Sequence, residues 1–410
     1  MHRTPLRFLV LTILALATAP AQHATDLSYV VVDTAQDQCF DDHRRIAPPP
    51  RGAAFAGQDA QVKGPVPLYR DHHDGTVSDE ITGLMWTREL TRKLTWDKAM
   101  TSPGSIAVGG HHDWRVPTIK ELYSLIRFTG IDPDPRSASI AALTPYLDTT
   151  VFAFRYGDPT DGDRIIDTQF WSSTAYVATT MDGNRTAFGV NFADGRIKGY
   201  GVDPHGPPGH QRTKTAWVRY VRGNPRYGIN DFHDNRDGTI SDHATGLMWT
   251  TADSGTALDW KTALRFAADL RTAGHQDWRL PNAKELQSLV DYTRSPDTSH
   301  SAAIDPLFSV TPITNEGGKP DFPGYWTSTT HSCGPRNGMA VYVAFGRALG
   351  WMHMPPQGGE MRLLDVHGAG AQRCDHKSGD PADFPRGLGP QGDVMRCRHF
   401  VRCVRTETTP

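Results

Sequence analysis

Apolar and polar positions along this chain form short runs whose period switches between helical and extended, and the switches come at matching places in two halves. Asp259 stands before Trp260, Ala263, Leu264 and Ala267, an apolar stripe of helical spacing behind an N-capping residue. Trp96, Ala99 and Met100 begin the same stripe in the first half, where Pro103-Gly104 should cut the helix short. A second helix is predicted after a proline in each half. Thr118 to Glu121 and Asn282 to Glu285 are capping boxes, and the stripes Ile119, Leu122, Leu125, Ile126 and Ala283, Leu286, Leu289, Val290 follow. Asp74-Gly75 and Asp237-Gly238 suit tight hairpin turns that need positive φ. Farther on, Phe188, Val190, Phe192 and Val341, Val343, Phe345 alternate as strands do. Closing strands are expected over Trp217 to Arg222 and Phe400 to Arg405. Two helices set between an opening hairpin and later antiparallel strands, with long irregular stretches, describe an α+β domain with loops free for function.

The halves share wording as well as period. Asp74-Gly75-Thr76 and Thr82-Gly83-Leu84-Met85-Trp86 return as Asp237-Gly238-Thr239 and Thr245-Gly246-Leu247-Met248-Trp249. Asp113-Trp114-Arg115-Val116-Pro117 returns as Asp277-Trp278-Arg279-Leu280-Pro281, and Trp171-Ser172-Ser173-Thr174 as Trp326-Thr327-Ser328-Thr329. The repeat is far longer than one layer of a solenoid, so each copy is a whole domain. The expected boundaries are 68–224 and 225–410, joined at Gly223-Asn224-Pro225, with 22–67 as an amino-terminal extension holding little core of its own.

These motifs, with Lys120-Glu121-Leu122, Lys284-Glu285-Leu286 and the closing Val-Arg-(Tyr/Cys)-Val-Arg, resemble the carboxy-terminal domain family of the Legionella collagen-like adhesin over nearly all of 68–406. The resemblance implies two tandem C-type-lectin-like domains and, from the family's best-known member, binding of sulfated glycosaminoglycans at a host surface. Formylglycine-generating enzymes share that fold more distantly, and their Arg-Leu-Pro-Thr helix start looks like Arg279-Leu280-Pro281-Asn282. No glycine-every-third-residue stalk is present.

The first residues place the chain. Arg3 and Arg7 precede an apolar run from Phe8 to Leu16, and Ala19-Pro20-Ala21 offers a cleavage site, so 1–21 reads as a signal peptide and the mature protein as extracytoplasmic. The run is shorter than the roughly 20 residues a membrane span needs. Formal charge is −2 with those two arginines included, so bulk charge carries no nucleic-acid or polyanion footprint. Five cysteines in an exported chain favour disulfides over metal ligation. Cys374–Cys397 is the first expected bridge, Cys39–Cys403 the second, and Cys333 is left over.

Motifs that suggest chemistry have plainer explanations. His233 to Gly238 approaches a calcium loop, but His233 occupies an oxygen-ligand position and a hairpin turn accounts for it. Glu121 and Glu285 are explained as helix caps, and the six repeated tryptophans as core. His111 with Asp113, and His275 with Asp277, are too few for a metal site. Cys397 and Cys403 would lie roughly 20 Å apart on one strand, too far for an oxygen-activating thiol pair. No catalytic residue, metal or cofactor is therefore assigned. Contact residues are sought where the copies differ: Tyr200, Arg336, Arg347, Trp351 and His353. The segment Asp365 to Asp375, with His367 and Cys374, has no counterpart in the first copy and is either a binding loop or a disulfide-stapled excursion. Arg396, Arg398, Arg402 and Arg405 are a candidate basic patch. The sequence thus points to an exported binding or adhesion protein that recognises a polysaccharide, a glycosaminoglycan or an envelope or surface protein without calcium. The alternatives are a structural envelope module and a formylglycine-generating-enzyme-like oxidoreductase.

Overall fold

The computed structural model describes residues 27–407 apart from 135, 137–138, 142, 207–210, 334–335 and 354–358. The leader expected over residues 1–21 lies outside these. The first copy runs β1 (Tyr69–Asp71), β2 (Thr76–Asp79), β3 (Leu84–Thr87), α1 (Trp96–Thr101), α2 (Ile119–Ser124), β4 (Gln169–Thr180), β5 (Asn184–Asn191), β6 (Arg196–Gly201) and β7 (Val221–Gly223). The second runs β8 (Phe232–Asp234), β9 (Thr239–Asp242), β10 (Leu247–Thr250), α3 (Trp260–Asp269), α4 (Ala283–Ser288), β11 (Gly324–Cys333), β12 (Arg336–Ala344), β13 (Leu349–His353), β14 (Met361–Asp365), β15 (Gln372–His376) and β16 (Val404–Thr406). The chain is rich in antiparallel strands, with two short helices in each copy.

Both opening hairpins form where Asp-Gly stands. Gly75 and Gly238 take φ of 92° and 90°, a region that costs a side-chain-bearing residue energy. The aspartates before them accept hydrogen bonds from the backbone and hydroxyl of Thr76 and Thr239. Both capping boxes are present, and α1 ends at Thr101 ahead of Pro103 as expected. The repeated motifs prove to be contacts with one another. Trp171 and Trp326 donate to the carbonyls of Leu94 and Leu258, and Thr174 and Thr329 accept the first backbone N–H of α2 and α4.

The closing strands are shorter than predicted, because each segment leaves one sheet for another. Trp217 and Phe400 bridge in parallel to Phe170 and Tyr325 at the start of β4 and β11. Only from Val221 and Val404 do the chains join the small sheets β1-β2-β3-β7 and β8-β9-β10-β16. At each crossing a fully buried guanidinium binds three carbonyls: Arg219 those of Thr87, Arg88 and Ala153, and Arg402 those of Thr250, Thr251 and Ser309.

The copies meet across a seam of approximate twofold symmetry. One six-stranded sheet, in the order β11-β12-β15-β6-β5-β4, belongs half to each copy, and its halves join where Gln372 pairs with Ile197. The hairpin β13–β14 is inserted in the second copy, so β15 takes the place that β6 holds in the first. Gly199 allows the join, since a Cβ there would stand 2.5 Å from the carbonyl oxygen of His367, to which the Gly199 amide donates at 3.0 Å. A continuous apolar core takes Leu122, Ile126 and Val190 from one copy and Leu286, Val290 and Val343 from the other. Smaller clusters lie outside it around Trp171 and around Trp326.

Two lysines, Lys284 buried and Lys120 half-buried, lock the seam reciprocally. Lys120 of α2 donates to the Ser288 carbonyl at the end of α4 (2.6 Å), and Lys284 of α4 donates to the Ser124 carbonyl at the end of α2 (2.8 Å). Lys120 also reaches the Gly228 carbonyl and the Asn230 amide oxygen, and Lys284 the Asp33 carbonyl. Burial pulls their ammonium groups down to about 8 and about 7. The amino-terminal extension threads through the same region. Gln36 exchanges two hydrogen bonds with the backbone of Thr330, and Asp59 accepts from Thr34 and Thr329 while burial raises its carboxyl to about 7.

Because Lys284 binds its proton less tightly folded than unfolded, the unfolded chain holds more protons above neutrality and stability rises with pH there. Between pH 7.5 and 8.5 the wild-type chain should gain up to about 1.4 kcal/mol relative to Lys284→Met, one proton's worth of linkage. Urea unfolding of both proteins at the two pH values measures this, and parallel shifts would rule out a depressed Lys284.

Candidate functional site

Alternation along β6 sends Arg196, Lys198 and Tyr200 to one face of the sheet and Ile197 into the core. The cross-strand register places Arg373 of β15 at the position equivalent to Lys198, since Lys198 lies opposite Gly189 and Arg373 opposite Tyr342. The two copies thereby bring their cations together at the seam, over two adjoining hollows of about 670 and 300 Å³. Arg164, Ile166, Lys198 and Gln391 line both, so the hollows form one groove. Its far wall is the loop 388–395, and Met352 of the β13–β14 hairpin closes one end.

Most of the charge in the groove is already paired. Lys198 donates to Asp194, Arg196 to Asp132 (2.7 Å), Arg373 to Asp393 and Arg164 to Asp167 (2.8 Å). Burial works to raise the Asp393 carboxyl, but Arg373 and His367 overcome it and hold it far below the usual carboxylate range. His367 is pushed down to about 4 by burial and by Arg373, so it is neutral at pH 7. Its Nε2 must then carry the proton it gives Asp393 (3.1 Å), and its Nδ1 is left as an acceptor. Lys214 Nζ rests on the Gln169 amide oxygen (3.1 Å) and lies 5.0 Å from the centre of the Tyr200 ring, which meets Trp171 edge-on. Burial lowers Lys214 to about 8.

Several buried polar atoms around the groove have no hydrogen-bond partner among the described residues: Nε and Nη1 of Arg373, Oδ1 of Asp194, Nδ1 of His367 and the hydroxyl of Tyr200. An unsatisfied buried polar group costs about 1–3 kcal/mol, and here several stand together beside an open groove.

The five contact residues expected from sequence do not converge. Tyr200 lines the groove. Trp351 lines a separate cleft of about 430 Å³ with Phe384, Glu316 and Arg398. His353 is exposed and its Nδ1 sits 2.8 Å from the Gly359 carbonyl. Arg347 is taken up in ion pairs with Asp297 (2.6 Å) and Asp321 (3.3 Å), which makes it a brace between loops and not a free cation. Arg336 begins β12, and its side chain lies outside the described residues. The basic patch dissolves for a similar reason: Arg402 is buried on carbonyls, Arg405 binds Asp277 (2.9 Å) and Arg396 binds Glu316 (2.7 Å). Asp113 likewise holds Arg222 at 2.7 Å. Sequence reasoning missed Lys198, Lys214, Asp194, Asp393 and Arg373. The one available signal was the stretch 365–375, expected to have no counterpart in the first copy: that holds for His367, which follows the inserted hairpin, but Arg373 lies in β15, the counterpart of β6.

The expected disulfide is not formed: Cys39, Cys374, Cys397 and Cys403 are free and buried. The Cys374 thiol faces Arg196 (2.9 Å) and Met339 (3.6 Å), while Cys397, at a left-handed φ of 55°, faces Gly379. Burial pushes the thiols of Cys397 and Cys403 up to about 12, the reverse of what a reactive pair needs.

A family model described as the Lcl C-terminal domain matches residues 75–222 and 238–362, the two copies in turn. No curated protein and no solved structure matches the chain. Among the described residues no helix is long and apolar enough to cross a membrane, and no cluster of three metal-ligating side chains occurs.

Two outcomes test this placement of residues. A thiol reagent should react slowly with the native chain and count at least four of the five thiols in denaturant without reductant; three or fewer would restore a disulfide. Glu285→Ala should cost about 3 kcal/mol in urea unfolding, because it removes a helix cap and strands half-buried Arg279, whose Nη2 it binds at 2.6 Å. A change below 1 kcal/mol would show the motif to be other than scaffold.

Proposed function

Since the chain belongs to the Lcl C-terminal domain family, carried in two tandem copies and adhesin-like in character, we propose that it is an exported surface-binding protein that captures a glycan in the groove between its copies. The observation that carries this reading is the set of buried donors and acceptors without partners, among the described residues, around a groove lined by residues of both copies. Sugar hydroxyls both donate and accept, and a wall of paired charges offers both kinds of partner at fixed positions. The family resemblance supports a C-type-lectin-like fold for each copy, and the apolar leader over 1–21 supports export. Binding is independent of calcium in this reading, because each Asp-Gly-Thr aspartate commits its Oδ1 to the hairpin turn and no cluster of three metal-ligating side chains occurs among the described residues. An envelope or surface protein is the second class of partner, favoured by the half-exposed Trp351 and Phe384 of the 430 Å³ cleft.

A glycan array with neutral, uronic-acid and sulfated polysaccharides, read at two salt concentrations and with a chelator, tests the proposal. The expected result is binding that survives the chelator and weakens little with salt. Absence of binding to every glycan would overturn it. A signal confined to sulfated polymers and lost steeply with salt would move the site away from this nearly neutral groove.

A further inference from the structure

Charge accounting within the groove narrows the ligand. Arg196 and Lys198 have Asp132 and Asp194, Arg373 has Asp393, and Arg164 has Asp167. Lys214 differs, since its acceptor is a neutral amide and it has no ion-pair partner among the described residues. A densely charged polymer would find these cations already neutralised and would face the carboxylates of Asp132, Asp134, Asp194 and Asp393 that line the groove. A wholly neutral ligand would leave a half-buried ammonium without a counter-charge. We propose that the groove takes a hydroxyl-rich oligosaccharide bearing a single carboxylate, with the acid group at Lys214 and the hydroxyls along Tyr200, Asp194, His367 and Arg373 across the seam. This rests on the glycan-binding reading above and adds the ligand's charge and its orientation.

Orientation follows from where the unpaired atoms lie. Lys214, Tyr200 and His367 line the smaller hollow, formed mainly on the first copy, while Asp194, Arg373 and Asp393 line the larger one, walled by the second. The acid therefore sits at the Lys214 end, and the neutral sugars run from there toward the loop 388–395. The Tyr200 ring, held edge-on by Trp171 and covered by Lys214, puts an aromatic surface and an unpartnered hydroxyl beside the acid-bearing sugar. Leaving that hydroxyl buried and unpartnered costs the free protein stability, an expense expected where binding supplies the missing partner.

Isothermal titration of the intact chain with sialyllactose, lactose and a heparin tetrasaccharide tests this, in wild type, Lys214→Gln and Tyr200→Phe. Wild type should bind sialyllactose at least about tenfold more tightly than lactose, the effect of one charge-assisted hydrogen bond in a sheltered site. Lys214→Gln should remove that advantage. Tyr200→Phe should weaken sialyllactose roughly three- to tenfold while the melting temperature holds or rises, a combination that a purely structural tyrosine would not give. If the heparin tetrasaccharide binds more tightly than sialyllactose, or if neither substitution changes sialyllactose binding, the assignment is wrong. Should the array still show glycan capture while both variants bind as wild type, the site fails and the binding reading stands; should no glycan bind at all, both fall.

Discussion

Two ammonium groups buried between two helices set the terms for the rest of this molecule. Lys120 and Lys284 each leave water to cap the carboxy-terminal end of the other copy's helix, and each finds backbone carbonyls and no carboxylate there. An ion so placed is expensive unless its hydrogen bonds are complete, and neither set is complete without the opposite copy. The seam therefore cannot open cheaply. The shared core, the single strand pairing at Ile197 and Gln372, and the extension that carries Asp33 and Asp59 all gather around this exchange.

The same exchange positions the groove. With α2 and α4 locked back to back, β6 and β15 meet edge to edge, and the cations alternating along each strand come to line one hollow. The hollow is a product of symmetry broken at one point. The second copy inserts the β13–β14 hairpin before its third strand, and the inserted chain delivers His367 to the first copy's sheet. A pair without that insertion would lack this wall of the groove, which is why the copies share a scaffold but the site belongs to neither alone.

What the sequence revealed and what it hid divide along a physical line. Capping boxes, Asp-Gly turns and buried tryptophans act within a few residues or through apolar burial, and periodicity plus residue type expose them. Lys120 and Lys284 were visible as repeated residues, yet nothing local says that a lysine beside a capping-box glutamate turns inward, because its partners lie more than 100 positions away. Arg347, Arg402 and Arg405 looked like free cations for the same reason: their counter-charges and carbonyls come from distant loops. Tyr200 was singled out because it falls where the copies differ, and it lines the candidate groove; Lys198 and Arg373 were passed over although the register makes them equivalents. The disulfide failed on geometry that spacing does not encode, since Cys374 sits inside a strand against Arg196 and Cys397 at a left-handed turn.

Everything above depends on the copies behaving as one folded body and not as two beads on a linker. Differential scanning calorimetry of the intact chain at neutral pH measures that directly. One endotherm whose calorimetric enthalpy is about equal to its van't Hoff enthalpy is the predicted result. Two resolved transitions, or a calorimetric enthalpy about twice the van't Hoff value, would mean that each copy melts alone and that the seam neither holds the fold nor builds a site.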